Sequence, residues 1–220
     1  MKKHFLLAIL AIMTITSINA QEKISFGVKG GVNFATFGGR DFIVDQKTRT
    51  GFHVGVLVEV PISNKFSIQP ELMYSQQGSR TESEFATIMN PNDPTILIAS
   101  ESISKFSYIN VPILAKYTIV KGLSVEAGPQ FGFNIDSELE VSNIISGNET
   151  VSTEDISDRT NTFDFGLAVG GEYELPIGLF FQARYILGIS NIDSTEVQLG
   201  GPNEDSLTNR NFQLSAGYKF

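Results

Sequence analysis

Cysteine and tryptophan are absent from the 220 residues, and histidine occurs only twice, at His4 and His53. Without cysteine there is no disulfide staple, no thiolate nucleophile and no sulfur ligand for a metal. Two histidines leave little scope for imidazole acid–base chemistry. Beyond residue 20 no run approaches the roughly 18 consecutive apolar residues that a membrane-spanning helix needs. Basic charge is scarce: with Lys2 and Lys3 set aside, 14 Lys and Arg face 24 Asp and Glu, a net of −10. Such a surface repels nucleic acid and excludes it as a partner. What the chain does have is 17 Phe, 6 Tyr and 20 Gly in a composition that is 41% hydrophobic, which is ample for a folded core and argues against disorder.

The first residues, MKKHFLLAILAIMTITSINAQEK, set two lysines before an apolar stretch from Phe5 to about Ile15 and end on small or polar residues. This is the layout of a secretory signal peptide, with cleavage expected between Ala20 and Gln21. No cysteine follows, so a lipid anchor is excluded. Residues 1–20 are therefore expected to be a signal peptide and residues 21–220 one domain.

From residue 24 onward the hydrophobic period is two, the mark of strands with one apolar face. Eight segments carry it: 24–35, 51–60, 66–75, 108–117, 123–134, 163–175, 179–188 and 211–220. In the first, Ile24, Phe26, Val28, Val32 and Phe34 alternate with Ser25, Gly27, Lys29, Gly31 and Asn33. In the last, Phe212, Leu214, Ala216, Tyr218 and Phe220 alternate with Gln213, Ser215, Gly217 and Lys219. Each segment is near the ~9–11 residues that cross a bilayer at a tilt. Connections at 61–65, 118–122 and 176–178 are short, whereas 36–49, 77–104, 136–161 and 190–209 are long. An even number of strands with short turns at one end and long polar loops at the other is the plan of an eight-stranded, antiparallel, up-and-down transmembrane β-barrel. In that plan the short turns are periplasmic and the four long loops extracellular.

Alternation alone does not say whether the apolar face meets lipid or lines a ligand cavity, as in a lipocalin-like barrel that binds a small apolar ligand. Composition of the polar face favours lipid outside. Gly27, Gly31, Gly55, Gly128, Gly132, Gly166, Gly170, Gly188 and Gly217 all lie on it, and small residues suit a cramped lumen better than a solvated surface. Eight strands enclose an interior just wide enough for side chains to fill. The large polar-face residues are charged: Lys29, Glu59, Glu71, Lys116, Glu126, Asp164, Glu172, Arg184 and Lys219. Near-balance of sign in a poorly hydrated space calls for pairing. The expectation is a structural ion-pair network with Glu71, Glu126, Lys116 and Arg184 at its centre.

The final strand ends on Tyr218 and Phe220, aromatic at the last and third-last positions. This resembles the C-terminal signal that outer-membrane assembly machinery recognises. GVKGGVNFA, QPELMYSQQG, YINVPILAKY, LSVEAGPQFGF, FDFGLAVGGEYEL and ARYILGISNI, in that order, resemble the PorT-family outer-membrane β-barrel proteins of the Bacteroidetes. The resemblance spans essentially the whole chain after residue 20. It implies an eight-stranded outer-membrane barrel, and it carries an association with a protein secretion machine through the founding member.

Chemistry is sparse. His53 stands alone on the polar face, as a hydrogen-bonded core residue does, and GVKGG and GGRD lack the strand-to-helix setting of a phosphate loop. Three long loops are acidic, with net charges of −3 (77–104), −6 (136–161) and −4 (190–209). Hard cations take carboxylate oxygens, but no calcium-loop spacing appears. Asp193-Ser194-Thr195 and Asp205-Ser206-Leu207 look like an O-glycosylation pattern seen in Bacteroidetes, and Asn148-Glu149-Thr150 fits an N-glycosylation sequon. The expected function is non-enzymatic, without cofactor or metal: membrane integrity, adhesion, or an accessory role in secretion. The expected partners are outer-membrane lipid and lipopolysaccharide, the assembly machinery, and secretion components.

Overall fold

A computed structural model describes residues 24–39, 46–87, 96–145, 148–194 and 206–220. The signal segment and its Ala20–Gln21 junction lie outside them. Nine strands follow in order: β1 (Ser25–Gly38), β2 (Gln46–Ser63), β3 (Phe66–Thr87), β4 (Ile96–Val120), β5 (Leu123–Ile145), β6 (Asn148–Asp155), β7 (Phe163–Glu174), β8 (Leu179–Gly188) and β9 (Thr208–Lys219). Eight of them form the ring β1-β2-β3-β4-β5-β7-β8-β9, every neighbour antiparallel. The ring closes where β9 pairs with β1, from Gly27↔Lys219 to Gly38↔Thr208. The eight ring strands are those of the period-two segments. Closure leaves the ring no unpaired edge, the condition a sheet must meet in hydrocarbon.

Partners followed round the ring from Lys29 run through Gly55, Met73, Asn110 and Gly132 to Asp164. That path starts near the turn end of β1 and finishes near the loop end of β7, so the strands are staggered and tilted as a barrel requires. The turn end is tight. Gly122 (φ 88°) lets β4 fold back on β5, and Gly178 (φ 85°), whose N–H bonds the Leu175 carbonyl at 2.9 Å, does the same for β7 and β8.

The loop end departs from expectation. Residues 77–104 and 136–161 are expected to be loops, yet β3, β4 and β5 run on for 22, 25 and 23 residues, against 10–12 for β7, β8 and β9. Serine, threonine and isoleucine in these stretches sustain strand pairing without a strict apolar stripe, and residues 99–105 and 138–143 are half-buried on both faces. β6 is a further strand: it pairs only with the far half of β5, Glu138↔Asp155 to Ile145↔Asn148, and stands outside the ring. The barrel gives way to this extension at a bulge. The β2–β3 register shifts between Thr48 and His53, and opposite it Gly78 adopts φ 137°, where a Cβ would lie 1.9 Å from the Ser104 carbonyl.

Apolar packing inside the ring is confined to small groups. Leu114, Ala168 and Ile186 meet in mid-barrel. At the loop end Phe106, Tyr108 and Ile192 form a plug with Phe37, Ile156 and Leu207 packed on it. Ile156, Ile192 and Leu207 come from segments expected to be loops, so the loops return side chains to seal the mouth.

Candidate functional site: the barrel lumen

Burial alternates along most of the apolar band of the ring strands and fixes which face is inside. β8 shows it plainly: Phe180, Gln182, Arg184, Ile186 and Gly188 are buried, while Phe181, Ala183, Tyr185 and Leu187 are exposed. Apolar side chains point outward on every ring strand, Phe26, Val54, Leu72, Ile113, Val125, Val169, Phe181 and Leu214 among them. Exposed apolar area on this scale is a lipid-facing surface. The lipocalin-like alternative needs the opposite arrangement. Aromatic pairs mark the loop-side border of the band: Phe34–Phe212, Phe52–Tyr74, Phe131–Phe165 and Phe133–Phe163, with ring centroids 5.5–6.3 Å apart. At the turn side, Tyr117, Tyr173, Phe181, Tyr218 and Phe220 are exposed, the last two edge-to-face at 5.5 Å.

Inside, glycines and large side chains fit one another. A Cβ on Gly217 would lie 2.3 Å from the Phe180 ring, and one on Gly55 2.6 Å from the Met73 side chain. Arg184 fills the centre, fully buried. Its Nη1 and Nη2 donate to Glu71 Oε2 and Oε1 at 2.9 and 2.8 Å, and its Nε donates to Glu126 Oε1 at 2.8 Å. One guanidinium from β8 thus clasps carboxylates of β3 and β5 across the bore, in the fork geometry that suits arginine. Lys29 adds a second cation, 2.8 Å from Glu71 and 2.9 Å from Gln182, whose amide donates on to Glu126 at 3.0 Å.

The turn end holds a separate cluster. Lys116 reaches Glu59 at 2.9 Å and Glu172 at 2.5 Å; Lys219 reaches Glu59, Glu172 and Glu174 at 2.6, 2.7 and 2.8 Å. Lys116, expected beside Arg184, therefore belongs here: β4 places it six residues nearer the turn than Asn110, and the stagger of the ring aligns it with Glu172. Glu174 shares the polar parity of Asp164 and Glu172 and sits at the last position of β7. Carboxylate oxygens of Glu59, Glu172 and Glu174 lie within 4.8 Å of one another, the one grouping of this kind among the described residues. Two ammonium groups already occupy those oxygens. A pocket of about 440 Å3, lined in part by Glu59, Lys116, Ser124, Tyr173 and Glu174, opens the cluster to the turn-end solvent.

Above the centre the lumen holds no ion pair among the described residues. His53 is buried between Asn33 Oδ1 and Ser215 Oγ, each 2.8 Å from a ring nitrogen. The order Ser215–His53–Asn33 is that of an acyl-transfer relay. However, all three lie on the closed interior, and Asn33 is also pinned to Ser75 Oγ and to the Phe52 and Gln76 carbonyls. Asp164, expected in an ion pair, is instead held by Ser190 Oγ at 2.6 Å and Asn209 Nδ2 at 2.8 Å, with Tyr108 accepting from the same amide at 3.1 Å.

On the loop-end extension, charges form a ladder across the outward face: Lys47 with Glu82, Arg80 with Glu82 and Glu101, and Lys105 with Glu140. The acidic excess expected of loops is thus borne partly by strands. Asp155 accepts the Ser157 amide at 2.9 Å, which holds its carboxyl below the ordinary range. Asn148-Glu149-Thr150 opens the exposed strand β6. Thr195 and Asp205 of the two other modification triplets lie outside the described residues.

Ail from Yersinia pestis has a similar structure, with a TM-score of 0.45 and 13% identity over 90% of this chain and 100% of that one. For Neisserial surface protein A the values are 0.37 and 15%, over 90% and 98%. For the translocator domain of the autotransporter NalP from Neisseria meningitidis they are 0.30 and 10%, over 100% and 96%. These likenesses are weak, and the family match stands without them. No curated protein matches the sequence significantly. The sequence model described as outer membrane protein beta-barrel domain matches residues 19–194. With a closed antiparallel ring, an apolar exterior and a polar, charge-paired interior, the chain belongs to the outer membrane protein beta-barrel domain family.

Proposed function

We propose that this is a non-enzymatic integral protein of the outer membrane that acts through its surfaces, in membrane integrity, adhesion or as an accessory of a protein secretion machine. The observation that carries this is the Arg184 clasp: a buried guanidinium bound to carboxylates on two other strands obstructs the bore, and the plug of Phe106, Tyr108 and Ile192 covers it. A general porin needs about 16 or more strands for an aqueous channel. What is left for recognition is the tall strand extension at the loop end. The motif order supports membership of the PorT-like barrels of the Bacteroidetes, and the two lysines, apolar stretch and small residues of positions 1–20 support export by a signal peptide cleaved at Ala20–Gln21. The turns then face the periplasm and the extension faces outward, with lipid and lipopolysaccharide around the band and assembly machinery as a transient partner.

The test is recovery from native membranes. The protein is expected in the outer-membrane pellet, with gel migration that changes on heating, and a pull-down from solubilised outer membranes is expected to bring envelope or secretion components. A soluble fraction would sink the reading. One specific observation favours a second reading, a serine hydrolase built on Ser215, His53 and Asn33. Covalent labelling of Ser215 by a fluorophosphonate in the folded protein would establish it, and unlabelled folded protein removes it.

A further inference from the structure

We propose that the turn-end pocket is a binding site for the phosphoethanolamine headgroup of a lipid in the adjoining leaflet. The site rests on the outer-membrane reading above, which puts that leaflet beside it. The pocket measures about 440 Å3, within the range of small-ligand sites. Tyr173 ties it to the membrane. It lines the pocket and is also one of the exposed aromatic residues of the turn-side border, and a girdle of this kind sits at headgroup level. The apolar exterior runs on past it to the turns themselves: Ile62, Ile119 and Ile177 are exposed by 61%, 47% and 68%. Turns that stay apolar to their tips lie in the interface rather than clear of it, so the mouth of the pocket opens among headgroups.

The mouth offers one charge of each sign. Lys121 is exposed in the β4–β5 turn and has no ion-pair or hydrogen-bond partner among the described residues. In the same lining, Thr118 Oγ1 and Ser124 Oγ stand 3.3 Å apart. One hydroxyl proton joins that pair and the other is left to donate. An ammonium with a spare hydroxyl proton suits the oxygens of a phosphate diester. Glu174 stands beside them, its amide N–H donating to the Gly122 carbonyl at 2.7 Å. Its Oε2 takes Lys219 at 2.8 Å, its Oε1 has no partner among the described residues, and its side chain is 39% exposed. The backbone bond thus holds a free ammonium and a half-free carboxylate at neighbouring positions of one opening.

This pairing selects the ligand. A headgroup that is only anionic, as in phosphatidylglycerol, would satisfy Lys121 but bring a further negative charge beside Glu59 and Glu174. A ligand that is only cationic would satisfy Glu174 and leave Lys121 bare. A zwitterion meets both. Choline carries no N–H for Glu174 Oε1 to accept, whereas a primary ammonium does. Leu175 and Pro176 give the pocket an apolar edge on which the glycerol can rest. Beneath, Lys116 and Lys219 already hold Glu59 and Glu172, so the headgroup stays at the mouth and is not drawn into the bore.

The test is native mass spectrometry of the full chain released from vesicles of equimolar phosphatidylethanolamine, phosphatidylcholine and phosphatidylglycerol with the same acyl chains. The ethanolamine lipid is expected to be retained over the choline lipid by about tenfold, the factor that one charge-assisted hydrogen bond supplies. Lys121→Gln, at an exposed turn position, should lower its retention severalfold. Glu174→Gln should abolish the preference over choline. Equal retention of the three lipids by the unaltered chain would overturn the site, and so would a preference that neither variant changes. Binding of soluble phosphoethanolamine without retention of the lipid would overturn the lipid assignment. Gel migration that changes on heating, read on the same samples, reports membrane insertion separately. A heat-modifiable chain that holds the three lipids equally therefore defeats the site and leaves the function proposed above standing.

Discussion

Arg184 is the residue on which the interior depends most. Replacing it with methionine keeps the bulk but strands Glu71 and Glu126 without their main cation. The expected loss is about 3–5 kcal/mol, as for breaking a buried ion pair from one side. Urea titration of the protein in lipid vesicles measures it, and a loss under about 1 kcal/mol would mean that water reaches the clasp. Asp164→Asn should behave differently. Its partners are a hydroxyl and an amide rather than a cation, so the same titration should change by no more than about 1 kcal/mol. Lys116 and Lys219 share Glu59 and Glu172. A double-mutant cycle replacing both with methionine should accordingly depart from additivity by about 0.5–3 kcal/mol, and strict additivity would show the two lysines to be independent.

At the scale of strands, the boundary between membrane and water can be placed by substitution. Val169→Arg, on the outward face of β7 near mid-band, should cost about 2–4 kcal/mol, and Ile103→Arg, on β4 beyond the band, about 0–1 kcal/mol. Equal costs would mean that the bilayer covers the extension as well. β6 has one partner strand and is exposed throughout. Its amides are expected to exchange with solvent faster than those of the β1–β9 closure. The contrast between band and extension also explains what could be read from sequence. Strands that meet lipid on one face and a packed lumen on the other are forced into strict alternation, and residues such as Lys29, Glu71 and Arg184 declare their side by parity alone. Residues 99–105 of β4 and 138–143 of β5 are half-buried on both faces, and Ser100, Ser102 and Ser104 look no different from a loop. Parity says which charges are inside but not how deep, so it does not separate Lys116 of the turn-end cluster from Arg184 at the centre. Depth depends on the stagger between strands, and that depends on turns and bulges such as the one at Gly78.

For the molecule as a whole, a bore crossed by Arg184 and capped by Phe106, Tyr108 and Ile192 should not conduct. Planar bilayers carrying the purified protein are expected to show no stable unitary current, and steady channels would contradict the filled interior. The joint between β1 and β9 has a kinetic consequence. Hydrogen bonds from Gly27 to Gly38 await Thr208 to Lys219, the last ring strand to be synthesised, and Lys219 is also the hub of the turn-end ion cluster. Until that strand arrives, β1 keeps an open edge, Glu59 and Glu172 lack one of their two cations, and Glu174 lacks the lysine that reaches it. Closure therefore depends on the whole chain: a ring without residues 208–219 keeps an open sheet edge, which hydrocarbon does not tolerate.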